Sequence, residues 1–262
     1  VVELSNGTTN RLKVRSLVGI IPLFAVEIIH KDLFEQLKEF KIRAAEIVRT
    51  RPDLASLISN IEEANKDGNY LFSIMRAYRL EKLLIRLLDE DEFLSDFGIR
   101  SLSKYHKDHP FVFAHNGHYT IHYEPGESRS NMFGGNSNWR GPIWMPLNYM
   151  IIQSLRKYYT FYGPTYQYEF PTGSGKKLNL NEIANELTKR LVKLFEPNSE
   201  GKFQYHADDR NKLFSNDEHF RNQHLFYEFF DGDNGKGLGA SHQTGWTALI
   251  ANLIMEMDES GS

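Results

Sequence analysis

The residues best suited to chemistry are concentrated in one stretch of the chain, LFYEFFDGDNGKGLGASHQTGW, residues 225–246. It places one carboxylate, Glu228, among aromatic residues and follows it with several glycines. The glycines are Gly232, Gly235, Gly237, Gly239 and Gly245. Such a run favours tight turns, because glycine adopts positive φ readily. Glu228 is therefore either a strand residue that faces solvent or a carboxylate in an apolar wall with an acid–base role. From this stretch alone the first interpretation is favoured, since aromatic strands that end in glycine turns are common.

A second candidate segment is WRGPIW, Trp139–Trp144, which follows a polar loop over residues 124–138. Indole faces stack on the C–H surfaces of sugars, and a guanidinium donates paired hydrogen bonds to hydroxyls or a carboxylate. The segment therefore fits a sugar-binding loop. It fits equally well a loop packed on the core, with Arg140 in a structural ion pair.

Composition narrows the class of protein. The chain has 262 residues, of which 40% are hydrophobic, 25% charged and 13% aromatic, with a net charge of −3. Its scattered basic residues argue against nucleic acid as a partner. The longest apolar run, residues 17–26, is broken by Gly19 and Pro22 and is too short to span a bilayer. The absence of cysteine excludes disulfides and thiol chemistry.

No cofactor or metal is predicted. Five histidines occur from His106 to His122, but the predicted hairpin spreads them over both of its faces instead of along one face of a helix. The segment Thr172–Lys177, TGSGKK, lacks the spacing of a phosphate-binding loop. Residues 231–235, DGDNG, lack the terminal glutamate of a calcium loop and are predicted to form a plain turn.

Hydrophobic periodicity predicts a mainly α fold. The predicted helices cover residues 11–30, 32–49, 53–63, 71–88, 142–159, 179–195 and 247–257. One β-hairpin is predicted, in which Phe111–His115 and His118–Tyr123 flank the turn Asn116-Gly117. No repeat or linker divides the chain, so residues 1–262 are expected to form a single unit.

Two segments together resemble a known family. Asn136–Tyr149, NSNWRGPIWMPLNY, and Phe226–Trp246, FYEFFDGDNGKGLGASHQTGW, are similar to the C-terminal catalytic region of glycoside hydrolase family 63. That family includes processing α-glucosidase I and mannosylglycerate hydrolases. The resemblance implies an (α/α)6 toroid, with this chain as its later part and the hairpin inserted. It also implies inverting hydrolysis of α-linked glucosyl or mannosyl substrates.

The resemblance further implies roles for individual residues. The family's general base is a glutamate between aromatic residues ahead of a glycine turn, and Glu228 occupies that position. The implied substrate-cleft residues are Trp139, Arg140 and Trp144, and those of the loop beside the base are Gly239, His242, Gln243 and Trp246. His242 is left open between a hydrogen-bonding wall residue and an anchor of its loop.

One departure from the family pattern concerns the general acid, an aspartate on an earlier helix-loop that has no counterpart here. Asp231 and Asp233 are too close to Glu228 in sequence to be convincing partners. The acid is therefore expected upstream in a longer parent chain, and this fragment is expected to be inactive alone and prone to self-association through uncovered apolar surface. The alternative function is a non-catalytic carbohydrate-binding or structural helical module. A cytoplasmic location is favoured, while the sugar and linkage are left open.

Overall fold

The computed structural model describes residues 2–59, 61, 63–114, 118–129, 141–206, 213–214, 216–221 and 223–260. Helices are its longest elements. They are α1 (Lys31–Gln36), α2 (Lys38–Thr50), α3 (Pro52–Ala55), α4 (Ala77–Leu87), α5 (Met145–Tyr162), α6 (Leu180–Val192) and α7 (Leu249–Ser260). Single 3-10 turns occupy Leu17–Gly19, Ile21–Phe24, Lys104–Lys107 and Lys193–Phe195.

The strands of the described residues form antiparallel pairs between the helices. The pairs are β1 (Val2–Glu3) with β2 (Thr9–Asn10), β3 (Val26–His30) with β4 (Asn69–Ser73), β5 (Leu94–Ser95) with β6 (Gly98–Ile99), β7 (Phe111–Ala114) with β8 (His118–Ile121), β9 (Gln167–Glu169) with β10 (Lys177–Asn179), and β11 (Phe229–Phe230) with β12 (Gly237–Leu238). The fold is thus helical in its main elements, with small β-ribbons that carry the loops between them.

The core lies where α5, α6 and α7 pack against one another. Helix α6 begins at Asn179, whose side chain accepts the backbone N–H groups of residues 181 and 182 while Glu182 accepts the N–H of Asn179. This capping box satisfies N–H groups that the first turn leaves without partners. The apolar residues of α6 then recur at helical spacing and are buried against α5. The sequence prediction of a helix in this segment is confirmed.

Helix α5 begins directly after the WRGPIW segment. Pro146 lies in its first turn, where a missing N–H has no consequence. The buried amide of Asn148 accepts the N–H of Ile99 at 2.7 Å and donates to the carbonyls of Ile99 and Trp144 at 3.1 and 3.0 Å. This amide joins the start of α5 to strand β6, so Trp144 has a fixed position relative to the core.

The predicted helix over residues 11–30 is wrong. The structure has an isolated bridge at Ser16, two 3-10 turns and strand β3, whose five residues pair in register with β4. The β-branched residues Val26, Ile28 and Ile29 favour the pleated conformation once a partner strand is available. The same pairing replaces the start of the predicted 71–88 helix, which begins instead at Ala77.

Other expectations of the sequence hold within the described residues. The periodic segment 32–49 forms α1 and α2, and the hairpin pairs Phe111 with Ile121 through Ala114 with His118. Its turn, residues 115–117, lies outside the described residues. The expected short helix at 53–63 extends only from Pro52 to Ala55. Closure of the helices into an (α/α)6 toroid and the single unit 1–262 stay predictions.

Candidate active site

The two motif segments meet in space through backbone hydrogen bonds. Ile143 of WRGPIW exchanges two bonds with Phe230, with its N–H donating at 2.8 Å and its carbonyl accepting at 3.0 Å. On its other side Ile143 is bridged to Arg100. Ile143 and Phe230 are fully buried, so the contact belongs to the core. The two segments that carry the resemblance are therefore joined at Ile143 and Phe230.

Glu228 precedes β11 and is half-buried. Its N–H donates to the Ala240 carbonyl at 2.8 Å, and the Ala240 N–H returns a bond to carboxylate Oε2 at 3.2 Å. Gly239, at φ +68°, makes this approach possible, since a Cβ there would lie 2.6 Å from Oε2. Gly239, predicted beside Glu228, is thus in direct contact with it.

Aromatic rings form one side of this site. Trp144 is stacked on Phe229 with ring centroids 4.8 Å apart, and it meets Trp246 edge to face at 5.9 Å. The Trp246 indole N–H donates to the Glu228 carbonyl at 3.1 Å. Trp144 is 7% exposed, and its own indole N–H has no acceptor among the described residues. A buried donor without an acceptor costs free energy, so this N–H is an exception among the polar groups of the described core.

The remaining predicted site residues either contact the Glu228 segment through their backbones or lie outside the described residues. His242 is exposed and pairs with Phe226 through an isolated backbone bridge, and the Gln243 N–H donates to the Phe226 carbonyl at 2.7 Å. Both residues therefore stabilise the loop beside Glu228 through their backbones. Trp139 and Arg140 lie outside the described residues.

The structure also shows a polar cluster that sequence reasoning missed. The Arg100 guanidinium, on a residue 5% exposed, donates to the Tyr123 hydroxyl at 3.0 Å and to the Leu94 carbonyl. The Tyr123 hydroxyl donates to Asp233 Oδ1 at 2.7 Å, and burial raises the pKa of Tyr123. This cluster attaches the turn between β11 and β12 to the core. No local sequence pattern signals this cluster, because its members lie far apart along the chain.

The DGDNG segment forms the turn that its sequence predicts. Oδ1 of Asp231 accepts the N–H groups of Asp233 and Asn234 at 2.9 and 3.1 Å. Within the part of the chain that the structure describes, no three His, Asp or Glu residues lie close enough to hold a metal ion. Among the described helices, none is long and apolar enough to cross a membrane.

The histidines of the 106–122 region have separate surroundings. Buried His106 accepts the N–H of Arg15 through Nε2 at 2.9 Å and bonds the His109 carbonyl through Nδ1 at 2.9 Å. His122 Nε2 lies 2.9 Å from Oε1 of Glu124, a buried carboxylate. His115 lies outside the described residues.

Comparison with known proteins gives consistent relatives. Residues 71–194 match the glycosyl hydrolase family 63 C-terminal domain. An uncharacterized protein of Saccharomyces cerevisiae is 48% identical over 94% of this chain and 23% of its own length. A "Probable mannosyl-oligosaccharide glucosidase" of Schizosaccharomyces pombe is 30% identical over 68% of the chain, and the mannosyl-oligosaccharide glucosidase of S. cerevisiae is 27% identical over 67%. The chain spans 15% of the length of each of these two relatives.

The chain thus spans less than a quarter of the relatives that it matches. The expectation of a cytoplasmic location has no support among these relatives. They do support the class of protein expected from the sequence, a glycosidase, because two of the three carry glucosidase names.

Proposed function

Because residues 71–194 of this chain belong to glycosyl hydrolase family 63, we propose that the chain is part of an inverting α-glycosidase in which Glu228 is the general base. The observation that carries this proposal is the hydrogen bonding of the two carboxylate oxygens of Glu228. Its Oε2 accepts the Ala240 N–H, whereas its Oε1 accepts no hydrogen bond from any residue within the described ranges. A general base needs an open oxygen within reach of the water that it deprotonates.

The chemistry requires two carboxyl groups with different tasks. One acid protonates the leaving oxygen, while a carboxylate about 6.5–9.5 Å away activates water on the opposite face of the sugar. Asp231 and Asp233 are unsuited to the acid role, since the first closes its own turn and the second accepts the Tyr123 hydroxyl. The proposal therefore assigns the acid to a longer chain that carries this sequence. That longer chain would also complete the (α/α)6 toroid.

The proposed substrate class follows from the names of the relatives and from the aromatic residues beside Glu228. Two relatives carry the name mannosyl-oligosaccharide glucosidase, so an α-linked glucosyl unit on a mannose-containing oligosaccharide is the first substrate to test. Trp246 places a partly exposed indole ring beside Glu228, where it can stack on the apolar C–H surface of a sugar ring. An α-mannosyl substrate is the second candidate, from the family resemblance.

The decisive experiment follows the anomeric proton by NMR during hydrolysis by a longer protein that carries this sequence. We expect the β-anomer of glucose to form first. The Glu228→Gln variant should lose turnover by a factor of about 10² or more, with sugar affinity largely retained, because base catalysis and binding use different groups. Glu200→Gln is the matched control, since Glu200 is exposed and pairs with neighbouring Lys202. Release of the α-anomer first, or comparable turnover of Glu228→Gln, would refute the proposal.

A carbohydrate-binding module without catalysis is the second candidate, favoured by the partly exposed Trp246 indole beside Glu228. The chain alone is expected to be inactive on oligosaccharides but to change its tryptophan fluorescence with millimolar glucose or glucosyl disaccharides. In the longer protein, Trp139→Ala should raise KM with kcat less affected. If the chain gives no fluorescence response and the longer protein shows no hydrolysis, only a structural role is left.

A further inference from the structure

The backbone around Glu228 is fixed from two sides. On one side, Glu228 and Ala240 exchange two hydrogen bonds, the second of which ends on carboxylate Oε2. On the other side, the Trp246 indole N–H donates to the Glu228 carbonyl. These contacts involve both the main chain and the carboxylate of one residue, whereas its second oxygen has no donor in the described structure.

Resting on the proposed function, we infer that Trp246 is a positioning residue for Glu228, which aims Oε1 at the attacking water. In this arrangement Oε2 is occupied by the Ala240 N–H, so Oε1 is the oxygen that takes the proton. The resemblance had implied a role for Trp246 in the substrate cleft. The hydrogen bond from its indole gives it a role that acts through Glu228.

Packing supports this role, because the indole cannot easily turn away. The Trp144 ring contacts Trp246 edge to face, and Trp144 is itself stacked on Phe229, the residue after Glu228. Thr247, the residue after Trp246, is fully buried and donates its hydroxyl to the Tyr227 carbonyl at 2.7 Å. Residues 246 and 247 therefore bond consecutive carbonyls of the segment that carries the base.

Small displacements of a catalytic group are costly. A misplacement on the order of 1 Å can lower a rate by a factor of about 10². Loss of the indole N–H removes one of the contacts that fix residue 228 but leaves the aromatic surface in place. The expected signature is therefore a lower kcat at an unchanged KM.

The test uses Trp246→Phe in the longer protein, with α-glucosyl fluoride as substrate and sodium azide as an alternative nucleophile. We expect kcat for hydrolysis to fall about 10- to 100-fold, with KM within about twofold of the original protein. Azide should restore turnover, because this anion attacks the anomeric carbon from the β face, the C–F bond breaks, fluoride leaves and no proton has to be removed. The product is β-glucosyl azide, and Glu228→Ala should form it too.

The matched control is Thr188→Val in α6, which removes an equally buried side-chain donor, to the Ala184 carbonyl, outside the Glu228 segment. We expect it to lower Tm at least as much as Trp246→Phe, without a loss of kcat that azide restores. Gly239→Ala is the second variant, and serves if Trp246→Phe does not fold, because its Cβ would displace Oε2 directly. It should show the same azide-restored loss.

The outcomes separate the two hypotheses. If Trp246→Phe raises KM without an azide response, Trp246 binds sugar and the positioning role is wrong. A folded Trp246→Phe with unchanged kcat and KM would refute it as well. If Glu228→Ala keeps its hydrolytic turnover, or gives no β-glucosyl azide, the proposed function itself fails, whatever Trp246→Phe shows.

Discussion

Helices α2 and α6 have the same length of 13 residues and both carry apolar residues at helical spacing, yet their surroundings differ completely. Helix α6 buries seven residues, whereas α2 buries none. Leu187 of α6 is fully buried, while Ile42 of α2 is 68% exposed. An amphipathic pattern therefore predicts a helix and its apolar face, but it does not show what covers that face.

The same contrast places the candidate site on the better-packed side of the molecule. Phe230 of β11 packs edge to face on Phe195, just after α6, with centroids 5.8 Å apart. The segment before β3 is joined to the rest by the buried residues Leu17 and Leu23 and by polar contacts of Arg15, the ion pair with Glu92 at 2.7 Å and the N–H bond to His106. A catalytic group that must be held to within a fraction of an ångström benefits from closely packed surroundings such as those of Phe230.

The largest expected effect is on the buried face of α6. Leu187→Ala should lower the free energy of unfolding by about 2–5 kcal/mol, because it removes apolar contacts and leaves a cavity. Urea unfolding measures this value. The control is Ile47→Ala in α2, a residue half exposed to solvent, which should change the value by about 0.5 kcal/mol or less. Equal losses in both helices would break the contrast between them.

A smaller effect is expected at Gly239. Alanine there should cost about 1–3 kcal/mol of stability through its positive φ and its contact with Glu228, and it should also lower activity. Gly201→Ala is the matched control, because Gly201 has φ +74° with no atom near its would-be Cβ. That variant should lose stability through its backbone alone, with activity retained. An active Gly239→Ala enzyme would show that Oε2 of Glu228 can move without consequence.

The sequence predicts the parts of this fold whose causes are local. The cap at Asn179 and the periodic leucines of α6 lie within one segment, so the helix is readable from it. Pairing of β3 with β4 depends on a partner far along the chain, and the helix expected at residues 11–30 was wrong for that reason. Glu228 beside Gly239 and Trp246 follows from a compact motif, whereas their action on a sugar stays a prediction.

Arg100 and Tyr123 could not be predicted, for a different physical reason. A buried hydrogen-bond network is defined by which side chains meet in three dimensions, and isolated polar residues leave no periodic signal. The proximity of WRGPIW to the glutamate segment likewise depends on the Ile143–Phe230 bridge, which no pattern in either segment specifies. The resemblance to a family linked these two segments, which local patterns could not do.

A still smaller effect is expected at His106, where the segment before β3 contacts the rest of the molecule. Burial lowers the pKa of His106 from its ordinary value of 6.5, with Arg15 lowering it further and the His109 carbonyl and Glu92 opposing the shift. The unfolded chain therefore binds a proton at His106 more readily than the folded chain does. The contribution of His106 to the free energy of unfolding is complete above about pH 6.5 and is lost as the pH falls toward the lowered native pKa. Urea unfolding from pH 8 to pH 5 should show the loss. His106→Gln should reduce it, and an unchanged pH dependence in that variant would assign the loss to other groups.

The smallest expected effect on stability is at the uncovered face of α2. Ile42→Lys should change the free energy of unfolding by about 0.5 kcal/mol or less, because the side chain is already mostly in water. It should also reduce self-association of the chain, since Ile42 is an exposed apolar side chain that would favour contact between copies. Sedimentation velocity at several concentrations measures the association, and Lys41→Ile, which adds apolar surface to the same helix, should shift it the opposite way. A strong destabilisation by Ile42→Lys at concentrations where the chain is monomeric would mean that α2 packs within the molecule after all.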